Sequence, residues 1–354
     1  MKNIKPILVI FLVFSSVHLA FSVPLVKAVE DSWETMASMP TARSGFGVAV
    51  IDGKIYAIGG YGGGPLSSNE EYDPVTNAWT TKTNMPTARG SFGIAVWQNR
   101  IYAIGGKTNN GLTSVNEVYD PATDTWENKR SMSTPRFGVV TNIVGGKIYV
   151  IGGAPGVKSD FIKMNEVYDP STDTWATETP MTHSDFLYDS VVVDRKIYVV
   201  GTLTQIYDPE TDTWSLGAPP PIPVHGAVGA TTGLWAAKRI YLLGGTLDGT
   251  TTNINQVYNP DDNIWAVKEP MPHDRTNLAI AVVNDTLYAL GGYRIVSQVT
   301  PTPPYDVAFN EHYFPVEYIP EFPSWTPLLI MLFAVMAVAV VYRHNMKKQG
   351  QGRF

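Results

Sequence analysis

The sequence predicts an all-β fold: a ring of six repeated four-stranded units. Three recurring marks carry that prediction. A double glycine follows an apolar strand at Gly59-Gly60, Gly105-Gly106, Gly152-Gly153, Gly244-Gly245 and Gly291-Gly292, with Gly201-Thr202 as a degenerate copy. A Tyr-Asp-Pro triplet begins at Tyr72, Tyr119, Tyr168 and Tyr207, with variants at Tyr258 and Tyr313. A tryptophan recurs at Trp33, Trp79, Trp126, Trp175, Trp214 and Trp265.

The intervals define the unit. Tyr to Trp is seven residues in all five complete copies, and Trp to the next Gly is 26 in five of six, with 30 after Trp214. From the second position of each pair to Tyr the distance runs 12, 13, 15, 5, 13 and 21 residues. Two intervals are nearly rigid and one is free. In the second copy Gly93 to Val96 and Arg100 to Ile104 are apolar runs split by Trp97-Gln98-Asn99, which predicts a hairpin. Asn116 to Tyr119 gives a third strand. Asp120-Pro121-Ala122-Thr123-Asp124 gives a turn, because Pro fixes φ and Asp and Thr side chains cap neighbouring amides. Thr125-Trp126 opens the fourth strand. Four strands in about 50 residues fit one propeller blade.

The runs "GVAVIDGKIYAIGG", "NEVYDPATDTW" and "MPTAR" resemble kelch repeats over roughly residues 31–316. The resemblance implies a six-bladed β-propeller and leaves function open, since propellers host unrelated activities. Trp33 precedes the first double glycine, and after Gly292 no Trp appears until Trp325. The last unit therefore lacks a fourth strand, which the segment around Trp33 can supply. Such closure hides sheet edges and joins the chain ends without a covalent bond.

Composition narrows the function. The chain has 354 residues and no cysteine, which excludes a disulfide framework, a zinc ribbon, an iron–sulfur cluster and a thiol nucleophile. The net charge of −6 argues against nucleic acid as a partner. No acidic residue precedes Glu30 or follows Glu321. Removing Lys2, Lys5, Lys27, Arg343, Lys347, Lys348 and Arg353 from the 26 basic residues leaves 19, against 32 acids, a net of −13 for the middle.

Residues 1–28 read as a signal peptide, with Lys2 and Lys5 before an apolar run from Ile7 to Phe21 and cleavage near Ala28. Residues 29–318 form the propeller and 319–324 a linker. The uncharged run from Trp325 to Tyr342 is long enough for a transmembrane helix, and residues 343–354 form a basic inner tail. Pro320-Glu321-Phe322-Pro323 before that run resembles the archaeal PEF-type sorting signal, which implies cutting near the motif and re-anchoring by a sortase-like protease. The bland alternative is a plain membrane anchor. These segments predict export, a lipid bilayer as one partner, and a propeller held outside the cell.

Candidate ligand groups follow from strand alternation. The second-to-third loops and the inter-blade segments share one end, and the length-variable loops there make it the expected binding face. They are Tyr61 to Ser68, Lys107 to Val115, Ala154 to Met164, Thr246 to Ile254 and Tyr293 to Ala308. Arg43, Arg89, Arg136 and Arg275 stand 16 residues before the first Gly of their pairs, and Asp185 takes that place in the fourth unit. In kelch domains this place lies near the channel mouth. Guanidiniums there suit carboxylate, phosphate or acidic glycans; the alternative is that they pair with Asp or Glu and bridge blades. Tyr61 and Tyr293 complete the candidate set. The repeated Asn-Glu of the third strands is read as strand pairing, and His183, His225 and His273 as scattered surface residues. Asn284-Asp285-Thr286 is a glycosylation sequon.

No cofactor and no metal are expected. The leading expectation is a cell-surface scaffold that binds an extracellular protein or glycan. The alternatives are an exported carbohydrate-active enzyme of the sialic-acid mutarotase type and a structural surface-layer component. Copper oxidases of the galactose-oxidase type need a Tyr–Cys cross-link, which this chain cannot form.

Overall fold

The computed structural model describes residues 31–156, 161–184, 188–295 and 305–315. The expected signal peptide, sorting motif and transmembrane helix lie outside the described residues. Among the described residues no helix is long and apolar enough to cross a membrane.

Six four-stranded antiparallel sheets form the blades. From the inside outward, blade 1 holds Gly47–Ile51, Lys54–Ile58, Asn69–Asp73 and Ala78–Lys82. Blade 2 holds Gly93–Trp97, Arg100–Ile104, Asn116–Asp120 and Thr125–Lys129. Blade 3 holds Val140–Val144, Lys147–Ile151, Asn165–Asp169 and Thr174–Glu178. Blade 4 holds Asp189–Val193, Lys196–Val200, Thr204–Asp208 and Thr213–Gly217, and blade 5 holds Val228–Thr232, Arg239–Leu243, Asn255–Asn259 and Ile264–Val267. Blade 6 holds Ala279–Val283, Thr286–Leu290 and Asn310–Phe314, and its outermost strand is Ser32–Thr35 from the other end of the chain. Trp33 stands opposite Tyr313 in that pairing. The closure predicted from the missing sixth tryptophan is the one observed.

Local chemistry explains the strand ends. Five of the six innermost hairpins turn in two residues with positive φ at both, as at Asp52-Gly53 (51° and 73°) and Asn284-Asp285 (49° and 59°). Such turns match the right-handed twist of the strands. The double glycines have another cause. At Gly60 φ is +95°, and a Cβ there would lie 2.6 Å from Cβ of Phe46, so the crossing of the inter-blade segment forbids a side chain.

The core lies between blades. Six apolar clusters form, each shared by two neighbours; the one joining blades 6 and 1 contains Met39, Phe46, Ile55, Tyr72, Ala281, Tyr288 and Leu290. No blade buries its faces alone, so the ring is the unit of stability.

A polar clasp repeats around the rim at the same six interfaces. In blade 2 the Asp124 carboxylate accepts the hydroxyl of its own Tyr119 at 2.6 Å and the backbone N–H of Thr83 from blade 1 at 2.9 Å. Trp126 donates its indole N–H back to the Thr83 carbonyl at 2.9 Å. Asn77, Asp173, Asp212, Asn263 and Asp31 do the same for the other blades. All six take φ between 51° and 56°, a conformation Asp and Asn tolerate better than other side chains. Each stands two residues before a repeat tryptophan.

Candidate functional site

The inter-blade segments and the second-to-third loops meet at one end of the ring, as alternation requires. Isolated bridges tie them together: Ser44 to Tyr61, Gly90 to Lys107, Phe137 to Ala154, His225 to Thr246 and Thr276 to Tyr293. The loops differ in build. Lys107–Thr108 pairs with Gly111–Leu112, Thr246–Leu247 with Thr250–Thr251, and Tyr293–Arg294 with Tyr305–Asp306. Blade 4 makes the same crossing with only Gly201, Thr202 and Leu203 between strands. The face is therefore uneven, while at the other end the third-to-fourth turn repeats in blades 1 to 5 and one hairpin, that of blade 5, is longer than the rest.

The four arginines are structural. Arg43, Arg89, Arg136 and Arg275 are each 0% exposed. Each meets the glutamate of its own blade's third strand: Glu70 at 2.7 Å, Glu117, Glu166, and Glu311 at 2.7 Å. Guanidinium nitrogens also donate to main-chain carbonyls, Arg89 to Ala103 at 2.9 Å and Arg275 to Ala289 at 3.1 Å. Burial pulls the pKa of Arg43, Arg89 and Arg275 down while the facing carboxylate opposes that shift. No guanidinium surface is left for a ligand arriving from solvent. Of the two readings open in the sequence, the carboxylate pairing is the one observed, and it ties the segment entering each blade to that blade's own third strand.

The Asn-Glu pairs consequently do more than pair strands. The Glu receives the arginine, and the Asn donates to the residue beyond the fourth strand, as Asn69 does to the Thr83 carbonyl. A covariation within this one chain supports the assignment. Blade 5 has Val224 in the arginine place, and Gln256 replaces the glutamate. Blade 4 has Asp185, outside the described residues, and Gln205 replaces the glutamate. Both glutamines bond the inter-blade main chain in both directions, Gln256 to Ile222 and Gln205 to His183. Where the cation is lost, the anion is lost with it, as the cost of an unpaired buried charge demands.

Tyr61 and Tyr293 sit on the variable face, each half-buried. The Tyr61 ring crosses to the next blade, so closely that a Cβ on Gly90 would fall 2.4 Å from it. Burial raises its phenol above the ordinary value. Beside Tyr293, Arg294 pairs with Asp274 at 2.5 Å, and Tyr305 is 40% exposed. Asn109, Asn110 and Asp248 are exposed at the loop tips, and Lys107 at the base of its loop. The histidines do not converge, and among the described residues no group of three His, Asp or Glu is placed to hold a metal. His273 instead stacks on Phe309 and pairs with Glu311.

A shallow mouth of 140 Å³ opens at this face, lined by Gly45, Ser91, Gly138, Gly226 and Asn277 among others. Below it an axial cavity of 230 Å³ is walled by the innermost strands. Its lining is glycine and apolar side chains, Phe46 and Phe92 among them, except for Thr141, Ser190 and one carboxylate, Asp189. Asp189 accepts the N–H of Gly229 and of Ser190, both at 2.7 Å, and so ties blade 4 to blade 5. Desolvation outweighs those two bonds and pushes its pKa up to about 6.

With the geometry in hand, known proteins can be compared. A Kelch motif model matches residues 42–86, and a model described as the FKB95, Kelch-repeats domain matches residues 81–219. This chain is a kelch-repeat propeller. The mouse Kelch-like protein 40 is 38% identical over 55 residues, 16% of this chain and 9% of that relative, so the match spans about one tenth of its length. The solved structure of YjhT superposes on the propeller with a TM-score of 0.65 at 16% identity, covering 78% of this chain and 96% of that one. At that identity the likeness speaks for the kelch fold alone.

Proposed function

We propose that this kelch propeller is an exported, membrane-anchored cell-surface scaffold that binds an extracellular glycan or protein through its variable loop face. The observation that carries the reading is the contrast between the two ends of the ring. One end repeats a fixed turn clamped by Asp or Asn. The other displays loops of unlike length, with exposed Tyr305, Lys107, Asn109 and Asn110, on the face where a shallow mouth opens. Aromatic faces and amides suit sugar rings and hydroxyls, and equally a polar peptide surface. The apolar runs outside the propeller support export and anchoring.

An enzyme of the mutarotase type is the weaker reading. Among the described residues the mouth offers Asp189 as its one carboxylate, and main-chain N–H groups already hold it. The test is retention: full-length protein, immobilised, is screened against a glycan array and against detergent extracts of the cell envelope. Saturable binding that Tyr305→Ala and Lys107→Ala weaken supports the scaffold. Retention of no glycan and no envelope component refutes it.

A further inference from the structure

Blade 5 departs from its neighbours at the end opposite the variable loops. Between Val228–Thr232 and Arg239–Leu243 it carries six residues, 233–238, where the other blades turn in two. This is the source of the 30-residue interval after Trp214. The loop is not loose. Asp285, 3% exposed in the neighbouring turn of blade 6, accepts the N–H groups of Gly233 at 3.0 Å, Leu234 at 3.1 Å and Ala236 at 2.7 Å, and also that of Trp235. Thr232 closes it by donating to the Ala237 carbonyl at 2.7 Å. With its main chain fixed, the loop holds two large apolar side chains out in solvent, Leu234 at 65% and Trp235 at 42% exposure. Ile264, 58% exposed, opens the outermost strand of the same blade at the same end. Rigid display of Leu and Trp has no use inside the propeller, whose clusters are complete without them.

Both ends of the chain leave from this side. Phe314 ends a third strand there, Ser32 begins the fourth strand beside it, and the Asp31 N–H donates to the Phe314 carbonyl at 2.9 Å. The apolar run from Trp325 to Tyr342 therefore connects to the loop's face, as does the run from Ile7 to Phe21 before the expected cleavage near Ala28. Residues 315–324 separate strand and apolar run; fully extended they reach at most about 36 Å. A bilayer holding the second run therefore lies within that distance of Phe314, at the end of the ring from which the loop of the neighbouring blade projects.

We propose that Leu234 and Trp235 form a membrane contact that seats the propeller with its turn face toward the lipid surface and its variable loops away from it. Indole and leucyl side chains side by side suit the headgroup–acyl boundary. The proposal rests on the membrane-anchored reading. It deepens that reading by fixing which way the ring faces. On this face the turn carboxylates Asp73, Asp120 and Asp208 stand beside Lys54, Arg100 and Lys196, a balance of charge that suits a zwitterionic surface.

The chain's lack of cysteine makes the test direct. Full-length Leu234→Cys and Asp248→Cys are each labelled with an environment-sensitive fluorophore and reconstituted into phosphatidylcholine vesicles containing chain-brominated lipid. The expected result is co-flotation of both variants, with bromine quenching at least a third of the signal at 234 and less than a tenth at 248. Co-flotation with an unquenched label at 234, or equal quenching at both sites, overturns the seating while leaving the anchor intact. Failure to co-float overturns the anchored reading, and the contact falls with it.

Discussion

Replacing Arg136 by methionine removes a guanidinium that is wholly buried and faces Glu166, whose side chain is 3% exposed. It also removes the bond to the Val150 carbonyl at 3.1 Å. Methionine fills much of the volume, so the cost comes chiefly from the carboxylate left behind. Glu166 then keeps only Ser133, through its N–H and hydroxyl. Breaking one side of a buried ion pair costs about 3–5 kcal/mol, and the single variant should fall in that range. Changing Glu166 to glutamine in the same protein removes the stranded charge. A glutamine there has a precedent in this ring, where Gln205 accepts from the His183 N–H and donates to the His183 carbonyl, both at 2.9 Å. The double variant should recover at least about 2 kcal/mol of the loss, since apolar or neutral replacements of a whole buried pair are often close to neutral. Urea unfolding followed by tryptophan fluorescence gives the four corners of the cycle. Additive losses, with the double variant less stable than either single one, would refute the pairing as the reason these arginines recur.

The remaining predictions concern the channel, the rim and the closure. Asp189 is held above its unfolded pKa, so its native form takes up a proton first, and its contribution to stability falls as pH rises from about 4 to about 6. Asp189→Asn should abolish that slope and gain on the native protein between pH 4 and pH 7 by up to about 3 kcal/mol, less the cost of the one N–H that an amide oxygen leaves unbonded; a stability difference between the two proteins that stays constant from pH 4 to pH 7 would contradict this. At the rim, Asp124→Ala should cost about 1–2 kcal/mol by stranding Tyr119 and the Thr83 N–H, whereas Asp124→Asn should cost little, because Asn77 and Asn263 already serve blades 1 and 5. The Tyr119 hydroxyl holds Asp124 below the usual carboxylate range, so the clasp's charged form is lost only as pH falls below about 4. Trp33→Ala removes the stack on Tyr313, 5.0 Å between ring centres, and the N–H bond to Glu269. Hydrogen exchange should then rise first in Asn310–Phe314 and Ser32–Thr35; uniform loss of protection over all blades would refute a local latch.

Much of the architecture was readable because a propeller repeats its spacing. The seven-residue Tyr-to-Trp interval reports a fixed turn and the 26-residue interval a fixed crossing, so the blade count and the closing strand follow from counting. The pairing of Arg43 with Glu70 or Arg275 with Glu311 was not readable from position alone, because the partners lie 27 to 36 residues apart, on an inter-blade segment and a third strand whose contact the fold creates. A signal was nevertheless present, since the two blades without arginine carry Gln205 and Gln256 where the others carry glutamate. The rim clasp also left a mark, an Asp or Asn two residues before each repeat tryptophan, including Asp31 ahead of the isolated Trp33. The blade 5 insertion showed as four extra residues. Its rigidity depends on Asp285, 51 positions beyond Leu234, which spacing could not reveal.

The most direct measurement is a binding comparison between the full chain and a variant with trimmed loops. Residues 105–115 and 244–254, which hold the loops Lys107 to Val115 and Thr246 to Ile254, are each cut to the Gly-Thr-Leu link that joins the same strands in blade 4. Both proteins are tested against the glycans and envelope components that the native chain retains. The proposed role predicts that the trimmed protein keeps its unfolding transition and loses binding at least tenfold. Undiminished binding by a folded, trimmed protein would contradict a ligand face made of the variable loops.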